Sequence, residues 1–300
     1  MARSRSSQSS RHADGSAVTA LAPVLALLPA WAVTIALLWW VTSPFHDLSY
    51  IVFAFIALVL GAALFVRPVQ QFVLVRLLGA RTPSRDERDR LQRAWLVVAQ
   101  ASHVPASRFI LAIADGDEVN AFACGGHLMV VSSYAVNELD HDELCGVLAH
   151  ELSHHLGLHT VALTISQWLS LPVVMFAQLG FMLQNVADVT ANSLRVKSLD
   201  VLGRTVAGAL TIVSWIFIAD LSLARYLSNA AGKGAEFRAD RNAVELGFGK
   251  HLSRALRRVI DEGRDERPRN WRDRMVTSHP PARTRVARID AYQRQLHSRR

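Results

Sequence analysis

Two long apolar runs stand close together near the start of the chain. The first, residues 18–41, contains 24 residues without a charge. As a helix rising 1.5 Å per residue it would extend about 36 Å, which exceeds the roughly 30 Å hydrocarbon core of a bilayer. The second run, residues 48–66, is also uncharged. Because a secretory signal has a single apolar stretch of about 7–15 residues, the pattern predicts an uncleaved transmembrane hairpin.

The residues around these runs predict their orientation. Trp39, Trp40 and Tyr50 lie where the runs meet, a position typical of interfacial aromatic side chains. Residues 42–47, between the runs, contain no Lys or Arg, whereas arginines precede the first run and follow the second. Because basic residues stay on the cytoplasmic side, we expect the N-terminus and everything after residue 66 to be cytoplasmic.

Two further apolar runs predict a second hairpin. Residues 161–183 are uncharged, and residues 206–223 are interrupted by Asp220, which would be costly inside a bilayer. If both cross, their flanking segments stay on one side of the membrane. We therefore predict four regions along the chain: a basic disordered N-terminus (1–16), a transmembrane hairpin (17–75), a cytoplasmic domain in two pieces (76–160 and 225–300), and a second hydrophobic hairpin inserted in it (161–224).

Between the hairpins the hydrophobic pattern predicts an amphipathic helix and short strands. Residues 82–102 predict an amphipathic helix, and residues 108–113 and 125–133 predict short strands. Asp140 followed by Glu143 has the spacing of a capping box, which predicts a helix from about His141 to about Gly157. The chain is thus predicted to be mainly α, with a small sheet.

Composition limits the class of protein. The chain is 51% hydrophobic, which excludes a disordered protein, and its two cysteines, Cys124 and Cys145, cannot form a disulfide framework. The net charge is +8, and residues 250–300 alone contribute +9. Such a basic segment suits nucleic acid or an anionic membrane. Since no nucleic-acid-binding motif is present, we expect anionic membrane lipids as partners and no nucleic acid.

The string HELSH, His150 to His154, matches H-E-x-x-H on the predicted helix. Residues four apart on a helix share one face, so His150 and His154 can reach one metal ion with Glu151 beside them. A third ligand is then required. The metzincin pattern does not supply it, because its last histidine position holds Thr160 and His159 comes one residue early. His155 does not supply it either, because it points about 100° away around the helix.

The remaining option for a third ligand is a carboxylate from a distant segment. Glu236 and Asp240 are four apart, hence on one helix face, in a stretch that ends at Gly247. Two histidines and one carboxylate, with water in the fourth position, form a catalytic zinc set.

Four segments taken in order resemble a known family. NAFACGG (120–126), HELSHHLGLH (150–159), EFRAD (236–240) and HPPARTRV (279–286) are similar to segments of the HtpX-type membrane zinc endopeptidases, relatives of the CAAX prenyl endopeptidases. The resemblance covers residues 86–289. It implies helical transmembrane hairpins together with an α+β zincin-like metalloprotease domain.

The resemblance also implies site residues. One zinc ion per chain would be held by His150, His154 and Glu236, with Glu151 as general base. Asp240 is expected to accept a hydrogen bond from a ligand imidazole. Two further groups are implied. His279 and Arg285 would stabilise the oxyanion. The residues that would pair with extended substrate are Asn120, Ala121 and Phe122.

These patterns predict an integral, multi-pass protease of the cell (inner) membrane whose catalytic domain faces the cytoplasm. Its substrates would be polypeptides, misfolded or membrane proteins in quality control. Two alternatives stay open. One is a prenyl-peptide-processing protease with the same metal set, and the other is a non-catalytic, zinc-stabilised membrane scaffold.

Overall fold

A computed structural model describes residues 11–156, 159–193, 197–263 and 280–298. The described residues form a mainly helical protein with one small sheet, which confirms the predicted fold class. The helices are α1 (Arg11–Thr42), α2 (Tyr50–Ala63), α3 (Arg67–Leu77), α4 (Arg85–Ala101), α5 (Ser133–Glu138), α6 (His141–Leu156), α7 (His159–Ser193), α8 (Lys197–Glu245), α9 (Gly249–Asp261) and α10 (Ala282–His297).

The chain divides into two compact units. The helical unit contains the described residues of Val18–Gly61 and Ala162–Ser228, and the mixed unit contains those of Met1–Ala17, Ala62–Val161 and Asn229–Arg300. Helices α7 and α8 contribute residues to both. The sequence also predicted a hairpin region and a domain in two pieces, and the roles assigned to those regions stay predictions.

The helical unit is built on apolar packing. Its core includes Leu27, Trp31, Val173 and Phe217. Gly61 marks a tight crossing, since a Cβ there would lie 2.4 Å from the Trp168 ring. The Trp168 indole donates a hydrogen bond to the Ala57 carbonyl at 3.2 Å, so a polar group within this apolar unit is satisfied.

Two helical stretches among the described residues are long and apolar enough to cross a membrane, Leu21–Phe45 and Thr160–Asn185. They coincide with the first and third predicted runs. The second run differs, because α2 passes the same test only together with α3, and the pair is bent by 71°. The fourth corresponds to a shorter apolar stretch, Thr211–Ala224. The multi-pass topology therefore stays a prediction.

The mixed unit contains a four-stranded sheet. Its strands are β1 (Ala80–Arg81), β2 (Ile110–Ala114), β3 (Ala121–Cys124) and β4 (Leu128–Ser132), in the order β1-β2-β4-β3. β2 and β4 are parallel, while β1 and β3 pair antiparallel with their neighbours. The two predicted strands correspond to β2 and β4. The pairing places β3 at an edge.

Helix α6 is fixed at its start and along its length. The Glu143 amide donates to Asp140 Oδ1 at 2.7 Å and the Asp140 amide donates to Glu143 Oε2 at 3.1 Å, which is the predicted capping box. At Gly146 a Cβ would lie 2.3 Å from the Leu252 amide nitrogen, so α9 crosses α6 almost in backbone contact. Helix α4 and strand β3 also contact α6. The helix that carries H-E-x-x-H is therefore held on several sides.

Candidate active site

Three side chains from two helices converge within the mixed unit. His150 and His154 come from α6 and Glu236 from α8, and their candidate ligand atoms lie within 4.8 Å of one another. His150 Nε2 is 3.4 Å from Glu236 Oε2, and His154 Nε2 is 3.0 Å from Glu236 Oε1. The residues are 2%, 8% and 3% exposed. Both imidazoles thus present Nε2 to one buried carboxylate.

This donor set fits a zinc ion. Tetrahedral zinc with nitrogen and oxygen ligands at about 2.0–2.2 Å places its donor atoms about 3.3–3.6 Å apart. The separations of 3.4 and 3.0 Å around Glu236 are close to that range. The rings of His150 and His154 are nearly perpendicular, at 88°, with centroids 4.9 Å apart, so neither blocks the other. A cation at this point would also offset the buried Glu236 carboxylate.

Behind the ligand cluster lies a buried ion pair. Asp240, one turn after Glu236 on α8, has Oδ1 3.0 Å from His150 Nδ1. Arg285 from α10 donates to the same carboxylate, with Nη2 2.7 Å from Oδ1 and Nε 3.1 Å from Oδ2. Its Nη2 also lies 3.1 Å from His150 Nδ1. Nη2 is also 3.2 Å from His150 Nε2, and Nη1 is 4.0 Å from Glu236 Oε2, so Arg285 lies along the His150 ring and reaches toward Glu236.

The pKa values follow from this packing. Burial lowers the pKa of His150 and so does the charge of Arg285, but hydrogen bonds to Asp240 and Glu236 outweigh both and raise it to about 9. Burial raises the pKa of Asp240, yet the His150 hydrogen bond and the Arg285 charge lower it to about 2. Burial likewise lowers the pKa of Arg285, and the surrounding carboxylates raise it above its ordinary value. Asp240 is therefore ionised and Arg285 charged.

Glu151 follows His150 on α6 and is 4% exposed. Its carboxylate is one of the negative groups that raise the pKa of Arg285. The structure thus places Glu151 beside the ligand cluster, where H-E-x-x-H spacing predicted it.

The residues predicted to pair with substrate lie on the edge strand. Ala121 and Phe122 belong to β3, and Asn120 precedes it. The Ser132 amide donates to the Asn120 carbonyl at 2.8 Å, and the Asn120 amide donates to Ser132 Oγ at 3.1 Å. Among the described strands, β3 pairs only with β4, so its other edge has no strand partner. β3 contacts α6 but contributes no group to the ligand cluster.

The other predicted histidines and cysteines lie outside the cluster. His155 Nε2 is 3.1 Å from the Leu128 carbonyl, and its ring packs edge-on against Phe109. His141 Nε2 is 3.8 Å from the Sγ of Cys145, and both cysteines are buried and form no disulfide. His279 and the side chain of His159 lie outside the described residues.

The contact of Arg285 with Asp240 and His150 could not be predicted from a local sequence pattern. Arg285 was expected near the oxyanion, and the structure shows it bound to Asp240 and against His150. These residues are 45 and 135 positions apart, so only the packing of α10 against the rest of the unit brings them together. The edge position of β3 likewise depends on strand pairing.

Two histidines of an H-E-x-x-H helix that meet a buried glutamate of a second helix, in a protein with long apolar helices, define a membrane metalloprotease. The chain belongs to peptidase family M48, which matches residues 85–293. This confirms the resemblance stated from the four sequence segments.

Curated relatives carry HtpX names. The chain is 30% identical over 201 residues to "Protease HtpX homolog" of Acidiphilium cryptum, covering 59% of this chain and 65% of that protein. It is 28% identical over 253 residues to "Protease HtpX" of Shewanella sp. strain ANA-3, covering 76% and 84%. The chain therefore spans just under two thirds of the Acidiphilium relative's length and most of the Shewanella one.

A solved structure has a similar fold. The crystal structure of S. mikatae Ste24p aligns with a TM-score of 0.51 and 18% identity, covering 92% of this chain and 67% of that one. At this identity the likeness concerns the fold alone.

Proposed function

We propose that this protein is a zinc-dependent endopeptidase of the cell membrane. The observation that carries the proposal is the buried cluster of His150, His154 and Glu236 with Glu151 next to it in the chain. A structural zinc site closes its fourth position with a protein ligand, whereas three ligands leave room for water. One zinc ion per chain held by these residues would polarise a peptide carbonyl and lower the pKa of a water molecule toward neutrality.

Glu151 is the proposed general base. Its carboxylate would take a proton from the attacking water and return it to the leaving amine. Burial supports this role, because a carboxylate in a water-poor site interacts strongly with a nearby proton donor.

Asp240 and Arg285 are proposed to position His150. A carboxylate that accepts the Nδ1 proton fixes the tautomer in which Nε2 is free to bind metal. The 3.0 Å separation of His150 Nδ1 and Asp240 Oδ1 suits this bond, and Arg285 holds that carboxylate from the other side. Because Nε and Nη2 are both engaged by Asp240, we favour a positioning role for Arg285. An oxyanion role for His279 stays a prediction.

The proposed substrates are polypeptides in extended form. An edge strand can pair with an extended peptide through main-chain hydrogen bonds, and Asn120, Ala121 and Phe122 lie along such an edge. Main-chain recognition is tolerant of sequence, which suits misfolded or damaged membrane proteins. We further propose that the mixed unit faces the cytoplasm, because arginines flank the apolar runs on that side.

The proposal is tested by separating metal binding from catalysis. Glu151→Gln should keep zinc and lower casein cleavage at least about 100-fold, since a general base contributes roughly that much or more. His150→Ala should lose both. Zinc is measured by elemental analysis of the purified full chain, and cleavage by release of labelled peptides. Glu138→Gln, an exposed glutamate on α5, is the matched control and should behave as wild type.

The alternatives give different results. A zinc-stabilised scaffold would bind zinc without cleaving casein in the wild type. Casein cleavage that survives Glu151→Gln would overturn the mechanism. A prenyl-peptide-processing enzyme would cleave a prenylated peptide far faster than its unmodified counterpart.

A further inference from the structure

A groove lies in the mixed unit away from the ligand cluster. It is enclosed by α3, α4 and the residues that lead into β2, and its volume is about 580 Å³. We call it the α3–α4 groove. None of the residues to which the proposed function assigns a role lines it.

The floor of the α3–α4 groove is apolar. Leu91, Trp95 and Phe109 line it and are almost fully buried. The rings of Trp95 and Phe109 meet edge-to-face with centroids 5.2 Å apart, and the Trp95 indole already donates to the Ala106 carbonyl. Leu96 lines the groove as well and is 49% exposed, so apolar surface continues from the floor to the rim.

Two arginines line the same groove. Arg67 is at the start of α3 and Arg88 is in the first turns of α4, and both are exposed. Arg88 donates to the Pro83 carbonyl at 3.3 Å. In the part of the chain that the structure describes, no carboxylate forms an ion pair with either guanidinium, in contrast to nearby Arg81, which binds Glu87 and Asp115. The groove therefore combines an apolar floor with two positive charges available to an anion.

The position of α3 indicates the source of such a molecule. Arg67 directly follows the second apolar run, and α3 exposes Phe72, Val73 and Leu77 to 60%, 45% and 73%. A helix with exposed apolar residues and flanking arginines beside a membrane segment is typical of the bilayer interface. Because Arg67 adjoins a predicted membrane segment, a bilayer lipid is the anion that this groove would meet first.

We propose that the α3–α4 groove binds one anionic phospholipid. Its phosphate would pair with Arg67 and Arg88, and an acyl chain would lie along exposed Leu96, over the floor formed by Trp95 and Phe109. A zwitterionic lipid offers the same chain but no net charge, so it should bind more weakly. An acidic peptide would satisfy the arginines but would leave the exposed apolar surface of Leu96 uncovered. This inference does not depend on the proposed peptidase activity.

The first test measures lipid binding to the purified full chain by native mass spectrometry. Dioleoyl phosphatidylglycerol is the probe, and dioleoyl phosphatidylcholine is the neutral comparison. Arg67→Gln with Arg88→Gln should weaken phosphatidylglycerol binding about 25-fold, at about fivefold for each arginine near a phosphate. The matched control is Arg76→Gln with Arg93→Gln, which removes one exposed arginine from each of the same helices outside the groove. It should bind like wild type.

Each outcome decides the proposal. Equal loss in both double variants would mean general surface charge and would overturn it, as would equal binding of the two lipids. Binding of an acidic hexapeptide that depends on Arg67 and Arg88, without phosphatidylglycerol binding, would replace it with a peptide site. Thermal melting of the double variants confirms that they are folded.

A second measurement locates the lipid in membranes. A photoreactive phenylalanine analogue is placed at Leu96, which lines the groove, and in a parallel chain at Val97, which is exposed to a similar degree but does not line it. Irradiation should link phospholipid to position 96 several-fold more than to position 97. Equal labelling of both positions would contradict a bound lipid in the groove.

Discussion

Two arginine–carboxylate clusters of the mixed unit have the same chemistry in contrasting surroundings. In the buried cluster, Arg285 binds Asp240 behind the metal ligands, and both residues are at most 5% exposed. In the surface cluster, Arg81 binds Glu87 and Asp115 at 2.7 and 2.8 Å. Glu87 is buried there, but the side chains of Arg81 and Asp115 are 40% and 70% exposed. The bond lengths are nearly equal, so geometry alone does not distinguish the clusters.

The energies of the two clusters are expected to differ because of water. Removing one partner of a buried pair leaves an uncompensated charge without solvent, whereas an exposed partner is resolvated. In the surface cluster Arg81 lies 6 positions from Glu87 and 34 from Asp115, and Glu87 supports a helix cap, since the Ser84 amide donates to Glu87 Oε2 at 2.8 Å. The buried cluster joins two helices far apart in sequence. Four substitutions test this contrast, from the largest expected effect to the smallest.

The largest effect is expected for Arg285→Met. It leaves Asp240 ionised and buried beside His150, and breaking a buried pair costs about 3–5 kcal/mol of unfolding free energy. Pulse proteolysis of the detergent-solubilised chain measures that free energy. Arg257→Met is the control, because Arg257 pairs with Asp290 at 2.6 Å but is 57% exposed. Equal costs for the two variants would show that burial does not set the energy.

The second substitution, Asp240→Asn, should mainly weaken metal binding. The amide oxygen can still accept the Nδ1 proton of His150 but no longer carries the charge that makes the imidazole more basic. Loss of such a partner lowers zinc affinity about 10–100-fold. Zinc competition against a chelator provides the measurement. Asp290→Asn, in the exposed pair with Arg257, should leave zinc affinity unchanged, and a similar loss in that control would remove Asp240 from the proposed role.

Features of the fold and the site that depend on residues close together in the sequence could be predicted, and those that join distant residues could not. The cap at Asp140 and Glu143, the H-E-x-x-H face and the helix end at Gly247 depend on neighbours within a turn or two, and the structure contains all three. The Phe248 amide bond to the Ala243 carbonyl, at 2.8 Å, completes that helix end. The helix-face spacing offered Glu236 and Asp240 as distant carboxylates, and the family resemblance selected Glu236 as the ligand, because no local pattern joins residues so far apart.

The remaining features depended on tertiary context. The bend between α2 and α3 falls at residues 64–66. Gln70, a buried residue in the π-helical stretch Gln70–Leu74 of α3, donates to the Leu64 carbonyl at 3.0 Å and to the Gly125 carbonyl, which ties α3 to this break. Gly125 has φ +61°, and a Cβ there would lie 2.5 Å from the Gln70 amide nitrogen. An apolar run in the sequence does not reveal such a long-range polar contact.

The third substitution, Glu87→Gln, tests the surface cluster through pH. The Arg81 hydrogen bond lowers the pKa of Glu87 to about 2, outweighing the effect of burial. Because the folded pKa lies below the unfolded value of about 4.5, the ionised Glu87 stabilises the fold above about pH 4.5 and loses that contribution as pH falls toward 2. Glu87→Gln should cost about 1–2 kcal/mol at neutral pH.

The difference between wild type and Glu87→Gln should shrink between about pH 4.5 and pH 2, in the window that these pKa values define. Thermal melting across that range measures it. Glu118→Gln, an exposed glutamate of the same unit, provides the control and should show no such convergence. A constant difference at all pH values would mean that the cap hydrogen bonds, and not the charge of Glu87, stabilise this end of α4.

The smallest effect is expected for Asp115→Asn. Its side chain is 70% exposed, and Arg81 retains Glu87 when Asp115 loses its charge. Exposed pairs contribute at most about 1 kcal/mol and are screened by salt, so we expect a loss below about 0.5 kcal/mol that disappears at high ionic strength. Pulse proteolysis at low and high salt checks both parts. A loss as large as that of Arg285→Met would mean that the surface cluster is as poorly solvated as the buried one, because only the absence of water can make a bond of the same length cost so much more to break.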